Sequence, residues 1–270
     1  MNISEFNRLS AEIYKLCGIQ LLESKMLLVE GRIRRRIKTL GLHSFDEYLK
    51  YLFSEQGYKM ELIPLVDAIT TNKTDFFREN VHFEYLTSSV LPGLDTSGQN
   101  CFSVWSAGCS TGEEPYTLAI VLNDYFEGRN NSNYKIYATD ISTEVLKIAS
   151  NGIYSFECIE PIPLHLKKKY LLKGKDPENP QARICADLRR QVNFSRLNFM
   201  DAEYEIPGNL DAVFCRNVLI YFNKDTQEKV IQKMLHKLKI GGYLFLGHSE
   251  SIIGMKLPLE RMAATIYKKV

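Results

Sequence analysis

The chain of 270 residues is 45% hydrophobic and 24% charged, a balance that excludes a disordered chain and leaves room for one large domain plus a smaller one. No run reaches the roughly 20 apolar residues of a membrane span, and the polar opening, residues 1–8, lacks a signal-peptide layout, so a cytoplasmic location is expected. The six cysteines (Cys17, Cys101, Cys109, Cys158, Cys185, Cys215) contain no C-x-x-C pair, which argues against a zinc site or a disulfide framework; no metal is expected.

Residues 1–84 read as a small helical domain. From Met26 to Leu40, Val29, Ile33, Ile37 and Leu40 recur at helical spacing, and Gly41 follows as a C-terminal cap. Two more amphipathic helices are predicted at 44–53 and 60–69, the first with Ser44 and Glu47 placed as a capping box. Residues 85–100 are taken as a linker.

From 101 to 270 the pattern changes to alternating strands and helices. Strands are predicted at 102–106, 135–139, 210–215 and 243–246, helices at 113–126, 142–150 and 224–239, and an antiparallel closing strand at 264–268. The polar loop 128–133 joins the first helix to the second strand. This alternation predicts a Rossmann-like, doubly wound parallel α/β sheet. Residues 152–198 break the pattern: Pro161, Pro163, Pro177 and Pro180 interrupt helices, and 183–188 with 191–194 could form a hairpin. An inserted antiparallel β-subdomain around 160–195 is expected.

Two places carry chemistry. In Trp105-Ser106-Ala107-Gly108-Cys109-Ser110-Thr111-Gly112-Glu113-Glu114, a strand ends in a glycine-containing turn that opens a helix. Backbone N–H groups are exposed there, but Glu113 and Glu114 in the first turn would repel a phosphate and suit a cationic ligand. The alternative reading is an ordinary turn whose acids complement the helix dipole. In Ala138-Thr139-Asp140-Ile141-Ser142, an acid ends the second strand, where nucleotide-binding α/β folds hold ribose hydroxyls; alternatively Asp140 only caps the next helix. Together the two favour an adenosine-containing ligand without a pyrophosphate, and S-adenosyl-L-methionine fits.

Four motifs in order then resemble the CheR family of chemotaxis-receptor methyltransferases: Thr71-Asn72-Lys73-Thr74-Asp75-Phe76-Phe77-Arg78-Glu79, the turn just described, Phe214-Cys215-Arg216-Asn217-Val218-Leu219-Ile220-Tyr221-Phe222, and Gly247-His248-Ser249-Glu250-Ser251. The resemblance implies a protein-glutamate O-methyltransferase that uses S-adenosyl-L-methionine and yields S-adenosyl-L-homocysteine. It implies that Asn72, Thr74 and Arg78 meet the cofactor, and that Glu113 lies near its methionine or ribose. By the same resemblance Asp140 is expected to hold the ribose, Asn198 and Phe199 to flank the adenine, and Arg216 and Asn217 to lie near the sulfonium. It places Arg78 and Tyr221 as the side chains expected closest to the methyl and the incoming carboxylate. A glutamate is ionised at neutral pH, so no general base is required, and His248 is read as a loop residue. The loop 174–180 keeps only the first glycine of the pattern found in members that hold a receptor's C-terminal peptide.

Arg32, Arg35 and Arg36 fall on one face of the helix after Ser24, with Arg34 and Lys38 beside them and no acid between 31 and 40. Such a face could bind nucleic acid, bind an acidic protein helix, or simply be solvated. The resemblance selects the second: Arg32, Arg35, Arg36 and Lys38 dock on the glutamate-rich cytoplasmic helices of methyl-accepting receptors, with no nucleic acid and no membrane insertion, and the enzyme acts as a monomer. The rivals are a small-molecule or nucleic-acid methyltransferase on the same scaffold, and a silent module that binds without transfer.

Overall fold

The computed structural model describes residues 1–93, 101–129 and 133–270. The expected linker 85–100 and the loop 128–133 therefore lie partly outside the described residues. Helix α1 (Ile3–Cys17) starts at a capping box in which the Asn2 side chain accepts the Glu5 N–H and the Glu5 carboxylate accepts the Asn2 N–H. Its buried stripe of Phe6, Leu9, Ile13 and Cys17 packs against Val29, Ile33 and Ile37 of α2 (Met26–Thr39). Helices α3 (Phe45–Leu52) and α4 (Glu55–Ile69) close the cluster with Tyr48, Leu49, Leu52, Leu65 and Ile69.

The helical unit expected to reach residue 84 packs on itself only as far as Ile69. Residues 70–80 run without regular structure, and α5 (Val81–Tyr85) continues through a π-turn at Leu86–Val90. Phe76, Phe83, Leu86 and Val90 are buried with the sheet's side chains instead, because the aromatic pair Phe83–Phe214 stacks at 5.8 Å.

The large sheet contains β1 (Cys101–Ala107), β2 (Asn133–Asp140), β6 (Val192–Arg196), β7 (Leu210–Cys215), β8 (Leu238–Leu246), β9 (Leu259–Ala263) and β10 (Ile266–Lys269). Its order is β6-β2-β1-β7-β8-β10-β9, parallel from β6 to β8, with β10 antiparallel to both neighbours. Helices α6 (Glu113–Phe126), α7 (Thr143–Asn151) and α10 (Lys224–Lys237) follow β1, β2 and β7. Both faces are covered. Val104, Ile136 and Phe214 lie on the side of α6, and Trp105, Val213 and Leu244 on the side of α10, which is why the central strands read as near-continuous apolar runs.

The inserted subdomain is a three-stranded antiparallel sheet of order β3-β5-β4, formed by β3 (Ile153–Ser155), β4 (Leu171–Lys173) and β5 (Gln181–Ile184), with α8 (Leu164–Tyr170) leading into β4. The hairpin of 183–188 with 191–194 does not form. Residues Ala186–Arg190 are helix α9, and 192–196 leave the subdomain to become the edge strand beside β2. The short polar helix takes the place of a tight turn, and Val192 and Phe194 find burial on the main sheet.

The helical unit is fastened to the sheet domain by polar contacts. The Thr143 N–H and hydroxyl donate to the two oxygens of Asp67 at 2.9 and 3.0 Å. The Asn198 side chain donates to the Leu16 carbonyl at 2.6 Å, and the Gln20 N–H donates to the Tyr221 carbonyl at 2.9 Å.

Candidate active site

A cavity of about 700 Å³ opens at the carboxyl ends of β1, β2 and β7, between the sheet and the helical unit. That size suits a drug-sized ligand, and the place is the switch point of the strand order, where open α/β sheets bind ligands. Its walls include Asn72, Thr74, Arg78, Asp140, Asn198, Phe199, Arg216, Asn217 and Tyr221. These nine come from four separated stretches of the chain.

The turn after β1 shapes the floor. Gly108 has φ +86°, and a Cβ there would meet Val218 Cγ2 at 2.4 Å, so only glycine lets the β1 and β7 loops approach. The Ser110 N–H donates to Asp140 Oδ2 at 2.8 Å and the Ser142 N–H to Oδ1 at 3.0 Å. Each carboxylate oxygen keeps a lone pair. Burial raises the Asp140 pKa, opposed by these backbone N–H groups. Asp140 thus both receives the following turn and borders the cavity, so the capping and ligand-binding readings are compatible.

The two acids of the first turn part company, because neighbours on a helix point about 100° apart. Glu113 does not line the cavity. It turns to the inserted subdomain, accepting from the Thr111 hydroxyl at 2.6 Å and the Cys158 thiol at 3.4 Å. Glu114 lines the cavity, accepts from the Ser106 hydroxyl at 2.6 Å, and lies 3.5 Å from Arg216. Burial raises the pKa of both acids; for Glu114 the Arg216 charge opposes this.

Arg216 is almost wholly enclosed. Its guanidinium donates to the Arg78 carbonyl, pairs with Glu79 and Glu114 at 3.5 Å each, and sits 5.3 Å above the Phe83 ring. Two carboxylates therefore offset its charge beside the cavity. The turn between these partners is strained: Phe77 and Glu79 both have left-handed φ, +55° and +53°, a conformation that non-glycine residues hold only when their surroundings fix it. The Phe77 N–H donates to the Thr117 hydroxyl at 3.2 Å, and Glu79 accepts from the His248 N–H at 3.2 Å. These bonds present Arg78 to the cavity, where its guanidinium also donates to the Lys73 carbonyl at 3.1 Å. Glu79, His82 and His248 bring their ligand atoms within 4.8 Å of one another, but Arg216 already places a positive charge against that carboxylate.

Asn198 lines the cavity with its side chain already engaged: it donates to Leu16 and accepts the Met200 N–H at 3.0 Å. Phe199 is packed with Trp105, Tyr204 and Phe222. Both are walls more than hydrogen-bonding groups.

The basic helix is used differently from the expectation. Arg36 forms a two-pronged pair with the buried Glu61, from Nε at 2.8 Å and Nη2 at 2.7 Å. Arg34 pairs with Glu30 at 2.6 Å. Arg32 turns to the cavity, donating to the Ile69 carbonyl, to the Thr70 carbonyl at 3.2 Å and to the Thr71 hydroxyl at 3.3 Å, and so satisfies the open end of α4. Arg35 and Lys38 are exposed and have no ion pair among the described residues. Glu30 lies in α2 itself, one turn before Arg34, whereas Glu61 is invisible to a scan of α2 alone because it is 25 residues beyond Arg36.

Sequence reasoning also missed Ile19, Gln20, Leu21, Leu22, Lys25 and Leu28, which close the cavity from the helical unit, and Asp75 and Ser110. Only the docking of two domains brings the first six there; no local motif marks them.

A doubly wound sheet with an acid at the end of β2 bordering the cavity and an acidic first turn after β1 matches the class of S-adenosylmethionine-dependent methyltransferases. The chain matches the CheR methyltransferase all-alpha domain over residues 4–70 and the CheR methyltransferase SAM binding domain over residues 72–268. It is 42% identical over 270 residues to the chemotaxis protein methyltransferase of Borreliella burgdorferi, covering 98% of this chain and 94% of that one. To chemotaxis protein methyltransferase 2 of Pseudomonas aeruginosa it is 40% identical over 263 residues, covering 97% and 92%. The Escherichia coli chemotaxis protein methyltransferase is 38% identical over 264 residues, with 98% and 90% covered. The chain belongs to the CheR family of chemotaxis methyltransferases, and its cofactor is S-adenosyl-L-methionine.

Proposed function

We propose that this enzyme methylates glutamate side chains on the cytoplasmic helices of chemotaxis receptors, acting in the cytoplasm as a monomer, with Arg78 and Tyr221 at the reacting end of the cavity. The observation that carries the site is Asp140: a carboxylate fixed by two backbone N–H groups, with acceptor capacity left over at the cavity wall, suits a ribose diol. The bound cofactor supplies a methyl group on a sulfonium. Glu114 and Asp75 give the wall beside it a negative field, with Glu114 in the place first expected of Glu113. Asn72 and Thr74, and the walls made by Asn198, Phe199, Arg216 and Asn217, complete the enclosure.

The incoming glutamate carboxylate is already ionised at neutral pH, so Arg78 and Tyr221 need only orient it and exclude water. Arg78 binds by charge-assisted hydrogen bonds while its own backbone is pinned by Arg216. A helix rich in glutamate meets the outer face of α2 through Arg35 and Lys38, with Leu27 and Leu28 exposed alongside. Arg32 and Arg36 support that face from within.

The test is transfer of labelled methyl from S-adenosyl-L-methionine to a receptor cytoplasmic fragment, with RNA and free amino acids as competing acceptors. Label on the fragment that base releases as methanol is the expected result. Base-stable label, or label confined to the other acceptors, would refute the ester.

A further inference from the structure

Glu250 does not line the cavity, yet its buried carboxylate accepts four backbone N–H groups. Gly247 at 2.6 Å and Asn217 at 3.0 Å donate to Oε2, and Val218 at 2.8 Å and Leu219 at 2.7 Å donate to Oε1. A carboxylate has about four acceptor sites, so all are taken. The donors belong to two loops, one after β7 and one after β8, which this single side chain ties together. Their approach is close: a Cβ on Gly247 would lie 2.8 Å from the Asn217 nitrogen. Asn217 itself has φ +61°. Further along the same loop the Tyr221 N–H donates to the Val218 carbonyl at 3.2 Å, and the Tyr221 carbonyl accepts from Gln20. The segment 217–221 is therefore anchored at its start by Glu250 and at its end by the helical unit.

We propose that Glu250 is a positioning residue for methyl transfer, fixing the 217–221 loop and through it Asn217 and Tyr221 without touching either reactant. The groups at the adenosine end, Asp140 and Ser110, hang from β1 and β2 and are bonded to each other, independently of Glu250. Loss of the clamp should accordingly separate cofactor affinity from turnover. A residue that merely stabilised the fold would not.

This inference rests on the methyltransfer reading. In Glu250→Gln, an amide NH2 replaces one oxygen and faces two N–H donors, so two of the four bonds are lost. By calorimetry, affinity for S-adenosyl-L-homocysteine should stay within about twofold, the scatter of uncoupled sites. With the full chain, saturating cofactor and receptor fragment, kcat should fall about 100-fold, the cost of a misplacement near 1 Å. Tyr221→Phe should slow the wild type but add nothing in the Glu250→Gln background, because the tyrosine is already out of place. Unchanged kcat, or losses that multiply, would overturn the proposal. Should Glu250→Gln not fold, Gly247→Ala decides: its added methyl pushes the same loop and should reproduce the kcat loss with cofactor affinity kept. A wild type that fails to methylate the receptor sinks the functional reading; an active wild type with an equally active clamp variant sinks only this one.

Discussion

Replacing Arg36 by alanine should destabilise the helical unit while leaving the outer face of α2 intact. The Glu61 side chain is 2% exposed. Its carboxylate accepts two bonds from Arg36 and a third from the Tyr48 hydroxyl at 3.1 Å. Removing the guanidinium takes away both charge-assisted bonds and leaves a buried charge with one neutral donor. Breaking a buried pair from one side costs about 3–5 kcal/mol. The Arg36 side chain is 23% exposed, so water can enter the vacated space, and the lower end, about 3 kcal/mol, applies. Urea unfolding followed by circular dichroism, which reports the helices, measures this. The double variant Arg36→Met with Glu61→Leu removes both charges and should recover most of the loss. A change for Arg36→Ala within about 0.5 kcal/mol, the range of ordinary surface substitutions, would refute the reasoning and return Arg36 to the docking face.

Reversing Arg35 and Lys38 to glutamate should lower kcat/KM for receptor about tenfold at low salt by weakening electrostatic steering, with cofactor affinity unchanged and the difference shrinking at high salt. An unaltered rate would remove that face from docking. Asp140→Ala should weaken S-adenosyl-L-homocysteine binding about 100-fold, as expected for losing two hydrogen bonds to a charged acceptor; unchanged affinity by calorimetry would take Asp140 out of the site. His82 is fully buried, and burial with the Arg216 charge lowers its pKa to about 4. The unfolded chain, with His near 6.5, therefore binds more protons below neutrality, and stability falls as pH drops from about 6.5 toward 4. From pH 7 to pH 5 that linkage amounts to about 2 kcal/mol, which His82→Gln should not show in urea titrations at the two pH values. Equal pH dependence in both proteins would contradict the buried, neutral histidine.

Much of the fold was legible because it is written locally. The strand-turn-helix at Trp105–Glu114 and the acid closing β2 are contiguous signals, and α2 and α3 carry their own stripes and caps. What stayed hidden depends on distant partners. Strand β6 looked like half of a hairpin because Val192 and Phe194 alternate correctly for either sheet; their burial against the main sheet decides it. In the pair Glu113-Glu114 either acid satisfies the helix dipole, and only the side on which Arg216 lies selects Glu114 for the cavity. Likewise the basic run of α2 looks unpaired until α4 folds back and brings Glu61 to Arg36.

The two domains are therefore not a catalytic unit with a detachable adaptor. Helix α2 faces two ways: Leu28 and Arg32, with Lys25 just before the helix, form part of the cavity wall, while Arg35 and Lys38 point to solvent one turn further along. The chain between α1 and α2 supplies Ile19 through Leu22 to the same cavity, and Gln20 holds the backbone of Tyr221. A sheet domain expressed from residue 72 onward would lack this wall, the Gln20 anchor and the Leu16 carbonyl that orients Asn198. The proposed docking surface and the cavity wall thus share one helix. In the proposed docking, Arg35 and Lys38 would set the distance of the substrate helix from Arg78 and Tyr221 through α2, whose other side lines the cavity.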